Sequence, residues 1–292
     1  MFPILFHIGN FPVTTFGLMM FLSFIAGAWI GGKQLQRYGL PSEYMWDLLA
    51  WCAVSGIAGA KLYYLGLHWD ELMAEPMKMI LSRGGLVWYG GLIGGVIAFG
   101  IQVRHKKLPM ATLYDGAGPA IALAYAVGRL GCFLVGDDYG RYTNSWVGVV
   151  FPEGAAPPSY ARELRAAGDS IPASIPDTAL VTVHPTQLYE IALALVILGI
   201  LWQLGKRRHK TGQLFATFLF LYSIERFFIE FVRAKMDRYV WGMSTSQLVS
   251  IVLFFAAAGL WWWRQKTAPD APLVTERVNN TPPSARGKPA RA

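Results

Sequence analysis

"LYDGAGPAIALAYAVGRLGCFLVGDDYGR", Leu113 to Arg141, is a long stretch of apolar and small residues that breaks into glycine and paired aspartate. A bilayer core needs about 20 mostly apolar residues in a helix, so residues 113–135 are long enough to cross one. Inside the run stands Arg129, with Gly128 and Gly131 beside it. A basic residue at the bilayer centre costs roughly 2.5–3.5 kcal/mol on insertion scales, and such residues are rarely idle.

The rest of the chain is of the same kind. Of its 292 residues, 54% are hydrophobic and 15% charged, where soluble domains carry about 25% charged. Apolar runs at 14–32, 45–66, 86–104, 186–204, 211–232 and 244–264 join 113–135. They predict an all-α, polytopic membrane protein with about seven transmembrane helices. Ser42 and Ser244 are placed to cap the second and seventh. Residues 136–185 form a long polar connection rich in Pro, Gly and Ala, and loops of that length are functional or disordered. From Thr267 the Pro-rich "TAPDAPLVTERVNNTPPSARGKPARA" reads as disordered. The expected organisation is a membrane domain, 1–266, and a disordered tail, 267–292, with no internal repeat.

Basic residues follow the first, third, fifth and seventh runs, in "GGKQLQR", "RHKK", "GKRRHK" and "RQK". The positive-inside rule puts those connections and the C-terminus in the cytoplasm, and the N-terminus and the 136–185 loop outside. This placement also accounts for the net charge of +8 without nucleic acid. No cleavable signal peptide is expected, because Lys33 and Arg37 follow the first run instead of preceding it. Cys52 and Cys132 lie inside apolar runs, so neither a disulfide framework nor metal-ligand spacing is present.

With that orientation, Lys61, Arg129 and Arg226 each fall about sixteen or seventeen residues along an outward-running helix, at one depth in the outer leaflet. Glu225 and Glu230 flank Arg226 in "SIERFFIEFVR" (Ser223 to Arg233), and Glu190 lies one turn inside the fifth helix. On the plain reading the cations snorkel to the headgroups and pair with these glutamates. On the sharper one they line a polar pocket that takes an anion from the outer leaflet. Arginine suits a phosphate because its planar fork bonds two oxygens at once, and small residues such as Gly128 and Gly131 allow close approach. An anionic phospholipid headgroup fits this depth.

Three further motifs remain. In "RGGLVWYGGLIGG" (Arg83 to Gly95) the glycines suit close helix packing. Trp88 and Tyr89 there are either interface aromatics or, for Tyr89, a hydroxyl aimed into the pocket. "HPTQLYE" (His184 to Glu190) opens the fifth helix with Pro185 in its first turn, and His184 is either a surface residue or a general base. "GDDYGR" (Gly136 to Arg141) is turn chemistry, or an Asp pair for a divalent metal.

Taken in order, "GGLVWYGGLIGG", "GRLGCFLVGDDYGR", "HPTQLYE" and "RFFIEFVR" resemble signature segments of the bacterial phosphatidylglycerol–prolipoprotein diacylglyceryl transferases, over about residues 12–265. The resemblance implies a multi-pass inner-membrane enzyme with its site facing the outer leaflet. It would transfer the diacylglyceryl group of phosphatidylglycerol to the lipobox cysteine thiol of a preprolipoprotein signal peptide. The products are a thioether and glycerol phosphate, and no cofactor or metal is used. Arg129 matches the arginine that grips the phosphate, and Arg226 the one that steadies charge on the leaving group, commonly the largest catalytic contribution. Lys61, Gly128, Gly131, Gly136, Glu190, Glu230 and Arg233 are the further candidates for holding the substrate.

The chain also departs from the family's pattern. Tyr89 stands for a histidine, Cys132 for an asparagine, Phe16 for a tyrosine and Lys61 for an arginine. The acceptor thiol must lose its proton as it attacks, and the acceptor of that proton is Tyr89, His184 or the lipid phosphate itself. Two rival readings are a diverged paralogue with another acceptor and a non-catalytic anionic lipid-binding or transport protein. A transporter built from repeats should show hydropathy symmetry and broken helices, and neither is visible.

Overall fold

The computed structural model describes residues 1–9, 11–82, 85–234, 238–240 and 242–274. The helices are α1 (Thr15–Arg37), α2 (Glu43–Leu67), α3 (Trp69–Ala74), α4 (Pro76–Leu81) and α5 (Trp88–His105). They continue with α6 (Met110–Val135), α7 (Ala161–Ala166), α8 (Thr186–Leu204), α9 (Gln213–Ile229) and α10 (Thr245–Thr267). Three antiparallel pairs of short strands complete the described chain: β1 (Ile4–Ile8) with β2 (Phe11–Thr14), β3 (Val149–Val150) with β4 (Thr182–Val183), and β5 (Arg238–Val240) with β6 (Met243–Ser244).

Each predicted run is a helix, but only α1, α2, α6, α8 and α10 are long and apolar enough to cross a membrane on those grounds alone. The other two runs form α5, with 18 residues, and α9, with 17. Glycines and a polar C-terminal turn dilute α5, and α9 is simply short. Trp51, Val54, Ile57 and Leu62 on α2, and Val249, Val252 and Phe255 on α10, are all exposed. Soluble monomers rarely show contiguous apolar surface of this extent, so lipid is its natural solvent. The chain is an all-α polytopic membrane protein.

Local chemistry sets the helix starts. Thr14 caps α1 by accepting from Gly17 N at 3.1 Å. Ser244 and Gln247 form a reciprocal capping box on α10, as the sequence predicts for Ser244. Ser42 precedes α2 without a capping bond, because its own backbone is already helical (φ −63°, ψ −27°). An N-cap side chain reaches the first-turn amides from an extended backbone, so Ser42 Oγ instead accepts from Gln36 Nε2 at 3.3 Å.

Two helix pairs dominate the packing, α1 against α6 and α2 against α5. In the second pair a Cβ on either Gly59 or Gly90 would lie 2.4 Å from the other's carbonyl oxygen. Only glycine permits this backbone-to-backbone contact. Arg83 and the side chain of Trp88 lie outside the described residues.

Residues 136–185 are a small packed unit on the end of α6. Phe151, Ala161, Leu164 and Val183 form its buried core, and Ser159 Oγ donates to Val181 O at 2.8 Å across it. The tail expected to be disordered from residue 267 begins with an ordered stretch. Ala271 and Leu273 are buried against Leu35, Tyr38 and Met45, and Lys210 Nζ meets Asp270 at 2.9 Å. Apolar side chains among the prolines give this stretch something to bury, which overrides its composition; residues 275–292 lie outside the described residues.

Candidate active site

The polar centre lies where α6, α8 and α9 converge with the turn that leaves α6. Gly136 ends α6 at φ +86°, a left-handed cap that turns the chain back. A Cβ there would approach Ala155 to 2.6 Å, so turn geometry accounts for this glycine. The next residues are fastened on both sides. Thr186 Oγ1 donates to Asp138 O at 2.8 Å, Gly140 N to His184 O at 2.8 Å and Arg141 N to Val232 O at 2.8 Å. Asp138 itself sits at φ +57°, a conformation that a short polar side chain tolerates better than most.

Three arginines meet on one carboxylate. Glu190 of α8 has no exposed surface. Arg129 Nε lies 2.8 Å from its Oε2, and Arg233 Nη1 and Arg226 Nη1 lie 3.5 and 3.6 Å from its Oε1. The Tyr125 hydroxyl donates to Oε1 at 3.0 Å and accepts from Arg129 Nε at 3.3 Å. Around this hub, Asp138 takes Arg233 at 2.7 Å and Arg129 at 2.9 Å. Glu230 takes Arg226 at 2.9 Å, one helical turn away. Arg226 also donates to Ser246 Oγ of α10 at 3.2 Å.

Such a network is expensive unless every charge is answered. Here three guanidiniums face three paired carboxylates, and the centre is dry while the edge is not: the Arg233 and Glu190 side chains are 3% and 0% exposed and Asp138 is 42% exposed. An anion that enters and takes over guanidinium N–H groups from these carboxylates finds a preorganised, bidentate receptor.

An apolar cavity of about 470 Å3 adjoins it. Phe24 of α1, Leu49 of α2, Gly91 and Gly95 of α5, and Ala120 and Ala124 of α6 line it, and Tyr125 stands in its wall. One residue therefore touches both the greasy space and the arginine network. A Cβ added at Gly128 would meet nothing within 4 Å, whereas one at Gly131 would lie 2.8 Å from Met19 Cβ. Gly128 leaves room beside Arg129, and Gly131 lets α1 come close.

The structure thus brings together Arg129, Arg226, Arg233, Glu190 and Glu230, with Gly128 alongside. Lys61, expected at the same depth, is placed elsewhere: its ammonium donates to Ser82 O and Oγ, both at 2.8 Å. Its helix packs on α5, so the cation faces the α4 end. Tyr89 stands at the start of α5, 60% exposed. His184 has its Nδ1 3.1 Å from the Tyr189 hydroxyl, and burial lowers its pKa, partly offset by Asp169. Two contributors escaped the sequence reading. Tyr125 carried a usable signal, one turn before Arg129; Asp138 was visible only as turn chemistry or as half of an acidic pair for a divalent metal. Cys132, Asp137 and Asp138 each bring a ligand atom to within 4.8 Å of the others. Asp138 already answers two guanidiniums, which would repel a divalent cation there.

With the geometry in place, comparison with known proteins decides the family. The family model described as prolipoprotein diacylglyceryl transferase matches residues 3–263. The chain belongs to this family. It is 30% identical over 266 residues to a protein of Lysinibacillus sphaericus, covering 90% of this chain and 92% of the relative. It is 31% identical over 260 residues to one of Enterococcus faecalis, covering 87% of each. A protein of Gloeobacter violaceus is 30% identical over 272 residues, covering 91% of this chain and 94% of the relative. All three bear the name phosphatidylglycerol–prolipoprotein diacylglyceryl transferase. The transferase match covers the arginine network and the cavity and runs from before α1 into the last turns of α10.

Proposed function

We propose that this chain transfers the diacylglyceryl group from phosphatidylglycerol to the lipobox cysteine thiol of preprolipoproteins. The observation that carries this reading is the convergence of Arg129, Arg226 and Arg233 on the buried Glu190, next to an apolar cavity. A phosphate needs the first feature and a lipid glyceride the second. The thiol sulfur attacks the glyceride carbon that bears the phosphate, and the C–O bond breaks as the C–S bond forms. The departing oxygen keeps the bonding pair, so glycerol phosphate leaves with one more negative charge than the diester carried. Arg129 and Arg226 meet that charge as it develops, the point at which electrostatic help is worth most. The thiol proton passes to Tyr89, to His184 or to the phosphate. Lys61 and Gly136 act at a distance from the phosphate, Lys61 near the headgroup surface and Gly136 by holding the turn.

The enzyme is a bacterial inner-membrane protein of seven spans, α5 and α9 included, with the N-terminus and the 136–185 unit outside and the C-terminus cytoplasmic. Four basic connections on one side support this orientation. The site then opens to the outer leaflet, where both lipid donor and signal peptide can arrive laterally. Transfer of labelled diacylglyceryl from phosphatidylglycerol vesicles to a lipobox peptide tests the activity; binding of the lipid without transfer would favour the non-catalytic rival. Cysteine labelling from outside the cell tests the topology. Modification at position 160 and not at 207 is expected, and the reverse would overturn it.

A further inference from the structure

Glu225 is a fourth carboxylate, and it stands apart from the pairing. It is on α9 beside Arg226, 5% exposed, and both its oxygens are buried with no hydrogen-bond partner among the described residues. Glu190, Glu230 and Asp138 each meet guanidinium nitrogen; no ion pair is seen for Glu225 among the described residues. It nevertheless feels the cluster, lying within electrostatic range of Glu190, Arg226, Arg129 and Arg233. The groups around it are Tyr125 and Arg129 from α6, Glu190 from α8, Tyr222 and Arg226 from α9, and Arg233 beyond α9. In α10, which packs on α9, Ser246, Gln247 and Ser250 near its start are neutral, and its basic Arg264 and Lys266 are at the opposite end. At the cluster's outer edge Asp137, whose pKa burial raises, accepts from the Cys132 thiol.

We propose that Glu225 carries an exchangeable proton that fixes the charge of the arginine cluster, so that uptake of the lipid phosphate is tied to that proton. This rests on the reading of the cluster as the phosphate site. The three arginines are balanced by Glu190, Glu230 and Asp138. An ionised Glu225 adds an unanswered negative charge to a buried site, where a carboxylate without hydrogen bonds is costly. A phosphodiester monoanion then adds another. With the proton on Glu225 the anion enters a balanced cluster; with it gone the anion meets net repulsion. Glu225 does not have to touch the lipid. It acts through Arg129, Arg226 and Glu190 and is a positioning residue.

The sign follows directly: affinity for the anionic lipid is full while Glu225 is protonated and falls as pH rises past its deprotonation. The test is KM for phosphatidylglycerol, with kcat measured in parallel, on the full-length protein in mixed micelles with a lipobox peptide. As pH is raised through the deprotonation of Glu225, wild-type KM should rise by up to about tenfold per pH unit, the limit for one linked proton, with a smaller change in kcat. Glu225→Gln, neutral and of the same shape, should flatten that profile, while Asp137→Asn should leave its slope in place. A slope kept in Glu225→Gln, or a flat profile in the wild type, overturns the proposal. If Glu225→Gln does not accumulate in membranes, the wild type alone decides it. Titration with phosphatidylglycerol vesicles at alkaline pH, in two buffers of different protonation enthalpy, should show uptake approaching one proton per lipid bound, and no uptake overturns the idea. Absence of transfer at every pH in the wild type overturns the phosphate-site reading and this inference with it.

Discussion

Asp115 and Glu190 are both fully buried carboxylates in the helical core, and they are answered in opposite ways. Asp115, near the start of α6, accepts from Gly212 N at 2.6 Å and from Phe215 N at 3.0 Å. Those are amides at the N-terminus of α9, where the helix dipole favours a negative charge. Nothing about that arrangement can be exchanged without unwinding a helix. Among the described residues Glu190 is answered by side chains alone, three guanidiniums and the Tyr125 hydroxyl. Those donors can turn to another anion while the backbone stays put. A buried charge completed by main chain is tied to the fold; under the proposed function, the one completed by movable cations keeps a place for the phosphate.

The sharpest way to break this contrast is at the arginines. An arginine that meets charge on a transferring phosphate is worth on the order of 10³–10⁵-fold. Arg129→Ala and Arg226→Ala should lose transfer to about that extent at equal membrane abundance. Arg129→Lys should lose most of it too, since an ammonium keeps the charge and not the fork. Turnover like wild type in Arg129→Ala would reduce the network to a packing device, no different in kind from Asp115.

The proton acceptor comes next, with an expected effect of about 10²–10⁴-fold. If Tyr89 takes the thiol proton, Tyr89→Phe should be crippled and His184→Gln nearly silent, and Tyr89→His should keep activity. If His184 takes it, the pattern reverses and the pH profile carries a signature. Burial lowers the His184 pKa, so the imidazole stays neutral at neutral pH. As a base it would lose rate only as pH falls through a value below the ordinary histidine figure of about 6.5. Near-normal rates in both Tyr89→Phe and His184→Gln would leave the phosphate as the acceptor.

A smaller effect is expected where the cavity meets the network. Tyr125→Phe removes one hydrogen bond to Glu190 and one from Arg129 but keeps the ring. A hydrogen bond to a charged group contributes about 1.5–3 kcal/mol, so a fall of roughly tenfold to a hundredfold in kcat/KM is expected. An unchanged rate would separate the cavity from the arginines functionally.

Much of this was legible in the sequence, and the reason is the bilayer. Lipid demands long apolar helices, so the runs that form α1, α2, α5, α6, α8, α9 and α10 could be placed from composition, and 186–204 matches α8 residue for residue. Buried charge is conspicuous against such a background, which is why Arg129, Arg226, Glu190 and Glu230 stood out. Helix-to-helix neighbourhood was not legible. Lys61 lies about as far along its apolar run as Arg129 does along its own, yet α2 packs on α5 through Gly59 and Gly90, which turns the lysine toward Ser82. Depth along a helix can be counted from the sequence, but azimuth depends on the partner. The docked stretch after α10 was hidden for a related reason. Its alanines and Leu273 are too few to form a pattern, and they are buried only because Leu35, Tyr38 and Met45 offer a surface.

The smallest effect on catalysis is expected at Asp115, and it tests the other half of the contrast. Asp115→Asn keeps the volume but removes the charge and turns one acceptor oxygen into an amide that cannot receive an N–H. Either Gly212 N or Phe215 N is then left buried without a partner, at a cost of about 1–3 kcal/mol. Thermal stability in detergent should fall accordingly, with the loss centred on the start of α9. The distance to Arg129 is fourteen residues of one helix, roughly 21 Å at 1.5 Å per residue. Effects at sites that far apart combine within about 0.5 kcal/mol, so kcat/KM per folded molecule should stay within about twofold of wild type. If instead Asp115→Asn loses transfer while its melting temperature holds, the buried carboxylate at that end is coupled to the reaction. The division between a charge that builds the fold and a charge that waits for a ligand would then fail at its structural end.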